Sequence, residues 1–117
     1  MSFASTPLQI LSLITPERTT MTVHGEIDMA TAPQLRHVMT NQLRHGLVTS
    51  LHLDLAGVTF MDSSGAYALL AVQRTARLLG GDLVLTRSSP QVGRLLALLA
   101  LESAFPVEPT AATAAGA

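Results

Sequence analysis

Asp62, Ser63, Ser64 and Gly65 stand between two runs of opposite character in FMDSSGAYALL, Phe60 to Leu70. Adjacent hydroxyls can supply a nucleophile, accept a phosphoryl group or cap a helix, and each role needs a different setting. A serine nucleophile at a strand-to-helix turn follows the G-x-S-x-G pattern, but the first glycine position here holds Met61 or Asp62. It also needs a histidine oriented by a carboxylate. His37 and His45 fall on the exposed side of a predicted helix, and His24 and His52 fall in predicted strands. Nothing in their spacing brings any of them to Ser63. The same four histidines show no H-E-x-x-H pattern and no paired carboxylates, so no metal site is expected. Gly80-Gly81 closes a helix and precedes a strand, the reverse of a phosphate-binding loop. The residues predict neither an enzyme nor a cofactor.

Two readings of the MDSSG turn remain open. Ser, Asp and Gly are what a helix N-terminus prefers, and one cap contributes about 1 kcal/mol. Two serines on an exposed turn, beside free helix N–H groups, also suit a phosphoryl acceptor. Asp28, in GEIDMATAPQL, poses the same choice. It can favour the positive end of a following helix, or it can be an exposed loop carboxylate that binds a partner. Both turns follow strands and precede helices, so both can open at one end of a sheet, which puts Asp28 and Ser63 on one candidate surface.

The elements that would position these turns are legible from the apolar pattern. Leu8–Ile14 and TTMTVH, Thr19–His24, read as a hairpin ended by Gly25. A capping box of Thr31 and Gln34, with Pro33 in the first turn, opens a helix. Leu35, Val38, Met39 and Leu43 form its buried face; Arg36, His37, Thr40, Asn41 and Arg44 point outward, and Gly46 stops it. Leu51, Leu53 and Leu55 alternate as a third strand, and Val58 and Phe60 extend its apolar path. Gly65–Leu79 is a second helix, for which Ser64 is the better-placed cap, and Asp82–Thr86 is a fourth strand. Ser89 and Pro90 open a third helix with Val92, Leu95, Leu96 and Leu99 inward. Phe105–Val107 is a candidate short last strand. From Glu108 onward EPTAATAAGA has no periodicity and reads as a frayed tail. Helices alternating with strands after a hairpin imply one α/β domain with right-handed crossovers. A mixed β-sheet of four to five strands, with helices mainly on one face, is expected.

Composition bounds the function classes. The 117 residues suffice for one domain, and 48% hydrophobic content predicts a packed core rather than disorder. Aromatics are only 3%, so that core must be aliphatic. A net charge of −1 with no basic cluster argues against nucleic acid as a partner. The absence of Cys removes thiolate and disulfide chemistry and suits a cytoplasmic protein. The apolar run LLALLAL, Leu95–Leu101, is far shorter than the roughly 20 residues of a membrane span. The N-terminus lacks the basic segment and hydrophobic stretch of an export signal.

GEIDMATAPQL (Gly25–Leu35), LDLAGVTFMDSSGAYALL (Leu53–Leu70) and the closing GGDLVLTRSSPQVGRLLALLALESAFPV together resemble the STAS-domain anti-anti-sigma factors of bacteria. The resemblance runs from about Leu8 to Val107. The L-D-L-x-x-V-x-F-M-D-S-S-G block is its specific part. It implies a STAS domain over residues 1–107 and a disordered C-terminal tail over 108–117. It also implies an anti-sigma factor antagonist that acts by binding and is not an enzyme. Its partner would be an anti-sigma factor serine kinase, which gives up its sigma factor and phosphorylates the first serine of D-S-S-G, Ser63. The modified protein then lets go, and a metal-dependent serine phosphatase resets it. By the same carry-over the partner-binding region is Asp28, Met29, Asp62, Ser63, Ser64, Gly65, Ala66 and Tyr67. The alternative is a STAS subunit of another complex, a stress-signalling assembly or a lipid-transport system. One departure stands out: the family usually continues D-S-S-G with Leu or Ile and then Gly, where this chain has Ala66 and Tyr67.

Overall fold

Every second residue of TTMTVHGEI is buried, from Thr19 to Ile27, so one side of this strand lies wholly against a core. In the computed structural model, which describes residues 8–15, 18–46 and 48–108, it is the second of four strands. The elements run β1 (Gln9–Ile14), β2 (Thr19–Ile27), α1 (Ala32–His45), β3 (Leu51–Met61), α2 (Ser63–Leu78), β4 (Leu83–Ser88) and α3 (Pro90–Leu98). The sheet order is β1-β2-β3-β4, with β1 antiparallel to β2 and the other neighbours parallel. Strands β2, β3 and β4 advance one place at a time in the same direction. Right-handed crossovers therefore put α1 and α2 on the same face. The expected fifth strand is a single parallel bridge between Leu85 and Val107. Among the described residues no helix is long and apolar enough to cross a membrane.

The core is aliphatic, as the composition requires. Met21, Val23 and Ile27 of β2 meet Leu51, Leu53 and Leu55 of β3, and Leu35, Met39, Leu69 and Val72 of the helices cover them. Each such side chain contributes about 1.5–3 kcal/mol when fully buried. Val58 joins this core, but Phe60 is half exposed. It pairs with Glu26, while Met61 beside it pairs with Ile27 and turns inward. The apolar path read through Phe60 is thus corrected to Val58 and Met61.

Several boundaries move, and two of the moves shape the site. Gly25 does not end β2. It adopts φ 110°, a conformation costly for any residue with a Cβ, and the ladder to β3 is irregular there. The strand then continues to Ile27. The Thr31–Gln34 capping box does not form either. The Thr31 hydroxyl accepts from the Asp28 N–H at 2.9 Å and donates to the Glu26 carbonyl at 2.8 Å, outside the helix. Ser89 does cap α3, accepting from the Val92 N–H at 3.3 Å. Glu108, read from the sequence as the start of the tail, is held by its N–H to the Leu85 carbonyl at 2.9 Å and by an ion pair with Arg18. Residues 109–117, the rest of that tail, lie outside the described residues.

Candidate functional site

Parallel pairing of β2 with β3 sets Ile27 opposite Met61, so the next residues, Asp28 and Asp62, leave the sheet side by side. The Asp62 N–H donates to the Ile27 carbonyl at 3.1 Å and ties the two exits together. Asp28, Met29, Ala30 and Asp62 line one shallow depression. The common surface expected for the two turns therefore exists, and the three-residue extension of β2 past His24 is what aligns it.

Asp62, not Ser64, caps α2. Its Oδ1 accepts from the Ser64 N–H at 2.9 Å, and its carbonyl accepts from Gly65 and Ala66 at 3.0 and 3.3 Å. Aspartate has the reach for the second N–H of a helix from an extended backbone, here φ −106° and ψ −174°. This frees both serines from capping. Ser63 is the first helical residue and is exposed, and its hydroxyl makes no hydrogen bond among the described residues. Ser64 is half-buried and faces the neighbouring groove.

Asp28 works as a turn former as well as a surface carboxylate. Its Oδ1 accepts from the Ala30 and Thr31 N–H groups at 2.9 and 3.0 Å, and its carbonyl accepts from Ala32. The Thr31 N–H, the largest influence, holds this carboxyl below its ordinary range, and desolvation opposes it. The turn projects Met29 into solvent at 78% exposure.

Beyond Met29 a groove of about 530 Å³ runs between α1 and α2. Pro33, Arg36, His37 and Thr40 form one wall, and Ser64, Tyr67 and Ala68 form the other. Tyr67 is 62% exposed, so this aromatic belongs to the surface and not to the core. The sequence pattern places Arg36 and His37 only on the outward side of the helix. The signal for their place was the topology: successive crossovers make α1 and α2 neighbours, so part of each helix's polar side borders the other. His37 shares the groove with Ser64, which the spacing did not foresee, but no carboxylate bonds to its ring among the described residues. Gly65 and Ala66 are buried, which removes them from any contact surface. A Cβ on Gly65 would sit 2.6 Å from Met61 Cγ and 2.7 Å from Ile27 Cγ2. This glycine lets α2 start directly against the strand ends that carry the two aspartates.

The whole arrangement is an open, largely apolar surface with acidic and basic margins and, at a helix start, two serines whose hydroxyls make no hydrogen bond among the described residues, of which Ser63 is the exposed one. Comparison with known proteins places the chain in a family. The STAS domain family description matches residues 9–114. The anti-sigma-B factor antagonist of Listeria monocytogenes is 31% identical over 87 residues, 74% of this chain and 75% of its own. The crystal structure of an anti-sigma factor antagonist from Mycobacterium paratuberculosis superposes with a TM-score of 0.77 at 27% identity, covering 94% of this chain and 92% of that one. The anti-sigma factor antagonist SpoIIAA in its unphosphorylated form superposes at 0.73 with 25% identity, covering 93% of each chain. The chain belongs to the STAS domain family.

Proposed function

We propose that this STAS domain is an anti-sigma factor antagonist, a cytoplasmic binding protein and not an enzyme, which docks an anti-sigma factor serine kinase through the Asp28–Asp62 surface and the adjoining groove. Phosphorylation of Ser63 switches it off, and a metal-dependent serine phosphatase restores it. The observation that carries this reading is the state of Ser63. It is exposed and, among the described residues, makes no hydrogen bond through its hydroxyl, while Asp62 already accepts from the N–H groups of Ser64, Gly65 and Ala66. A phosphate there meets few free helix donors and has a carboxylate for a neighbour, so the fold has little with which to absorb it. Its −1.5 to −2 charges at neutral pH act instead on whatever lies over Met29 and Tyr67, where desolvating them is costly.

The names of the relatives support antagonism of an anti-sigma factor, and SpoIIAA is described by its phosphorylation state. The test is incubation with the cognate kinase and ATP, followed by intact-mass measurement and peptide mapping. One phosphate on Ser63, abolished in Ser63→Ala, is the expected result. Phosphate on Ser64, or none, would overturn the switch and favour a STAS subunit of another assembly.

A further inference from the structure

Strand β1 is an edge of the sheet, paired on one side with β2 and, among the described residues, on the other side with nothing. Edge strands are usually protected by charge, proline or a bulge. From Leu8 to Thr15 the chain reads LQILSLIT, with no charged residue and no proline, and its pairing to β2 is unbroken. Leu11, Leu13 and Ile14 are 62%, 65% and 64% exposed. The segment Ile10-Leu11-Ser12-Leu13-Ile14 is also a palindrome centred on Ser12. We propose that β1 pairs antiparallel with β1 of a second copy of this chain, across a two-fold axis at Ser12.

The palindrome selects a second copy as the occupant. In an isologous contact residue i meets j and j meets i, and residues directly opposite in an antiparallel pair lie on the same face. An axis at Ser12 sets Leu11 against the partner's Leu13, Ile10 against the partner's Ile14, and the two Ser12 side chains against each other. Every apolar side chain meets an apolar one, and no charge repels. Ile10 opposes Val23 on the core side, so the Ile10–Ile14 pairs continue that layer, while Leu11 and Leu13 oppose Thr22 and Thr20 on the open face. Ser12 stands opposite Met21, in mid-strand, whereas Asp28 and Asp62 lie beyond the far end of β2. The contact also stops at two copies. The opposite edge, β4, is partly closed because Leu85 donates to Pro106 and accepts from Glu108 at 2.9 Å each.

Sedimentation from roughly 10 µM to roughly 1 mM covers the range expected of a small interface. The expected result is a concentration-dependent dimer, with Leu13→Lys monomeric and unchanged in circular dichroism and melting temperature. Register is read separately. The chain has no cysteine, so Ser12→Cys gives a single thiol, and the two thiols face each other across the axis within disulfide reach. Mild oxidation should cross-link Ser12→Cys and leave Gln9→Cys uncross-linked, since the two copies of position 9 would be about 20 Å apart. A monomer at every concentration, a dimer that survives Leu13→Lys, or equal cross-linking of both cysteine variants would overturn the proposal. None of these outcomes depends on Ser63 or on any kinase.

Discussion

At the scale of single residues, the site divides side chains that build the turn from side chains left exposed for a partner to meet under the proposed function. Asp62 and Ser64 test that division. Removing the cap in Asp62→Ala should lower stability by about 1 kcal/mol, while Ser64→Ala, which removes no cap, should stay within about 0.5 kcal/mol of wild type. Chemical denaturation of both variants checks the order, and the reverse order would return the cap to Ser64. Tyr67 falls on the other side of the division. It is 62% exposed on the groove wall, so Tyr67→Ala should leave the melting temperature nearly unchanged. The same change should weaken binding of the anti-sigma factor by about 2 kcal/mol or more, the loss expected of an aromatic anchor. Calorimetric titration beside a thermal melt separates the effects: intact affinity with a lower melting temperature would make Tyr67 structural. If the proposed docking holds, the exposed ring is also placed to discriminate between partner surfaces.

At the scale of elements, the helix starts set the geometry of the surface. Gly65 holds α2 against Ile27 and Met61 at a distance no Cβ can share without movement. Gly65→Ala gains about 1 kcal/mol of helix propensity but overpacks a contact, at a cost of about 1–3 kcal/mol. Net destabilisation, read by urea midpoint, is expected together with weaker partner binding as the turn shifts. Asp28 governs the other start and makes it pH-dependent. Its folded carboxyl titrates below the ordinary aspartate range, chiefly through the Thr31 N–H. Its contribution is therefore complete above the unfolded value of about 3.9 and is lost as pH falls through the lower folded value. Asp28→Ala should be less stable than wild type at neutral pH, with the gap closing under acid. A gap constant with pH would contradict the assignment.

These starts are also where the sequence was hardest to read. Helix interiors and central strands announced themselves by periodicity, and Pro90 behind Ser89 marked α3 correctly. Thr31 and Gln34 fitted a capping box equally well on paper, but the chain makes an Asp28 turn first, and that turn directs the Thr31 hydroxyl back towards Glu26. Gly25 read as a stop because glycine often ends strands; here it permits a positive φ inside one. Ser64 lost the cap to Asp62 because the strand exit already sets Asp62 extended, facing the helix N–H groups. The proximity of Asp28 to Asp62 was foreseeable, since both follow parallel strands. The crossovers also make α1 and α2 neighbours, but which polar residues line the groove between them, Arg36 and His37 here, depends on how α1 lies against α2.

At the scale of the whole molecule, a buried aliphatic core carries an open surface at one end of its sheet, and under the proposed function the charge on one serine controls that surface. The Ser64, Gly65 and Ala66 N–H groups at the start of α2 are engaged by Asp62, so phosphorylation should leave the fold as it is and act on the complex. Titration of the anti-sigma factor kinase with the unmodified protein and with protein phosphorylated at Ser63 measures this directly. A loss of about 3 kcal/mol, more than a hundredfold in affinity, is predicted, with backbone amide shifts confined to the turn and nearby loops. Equal affinity of the two forms would contradict the account, as would shifts spread through β3 and β4, which would move the switch from the surface into the fold.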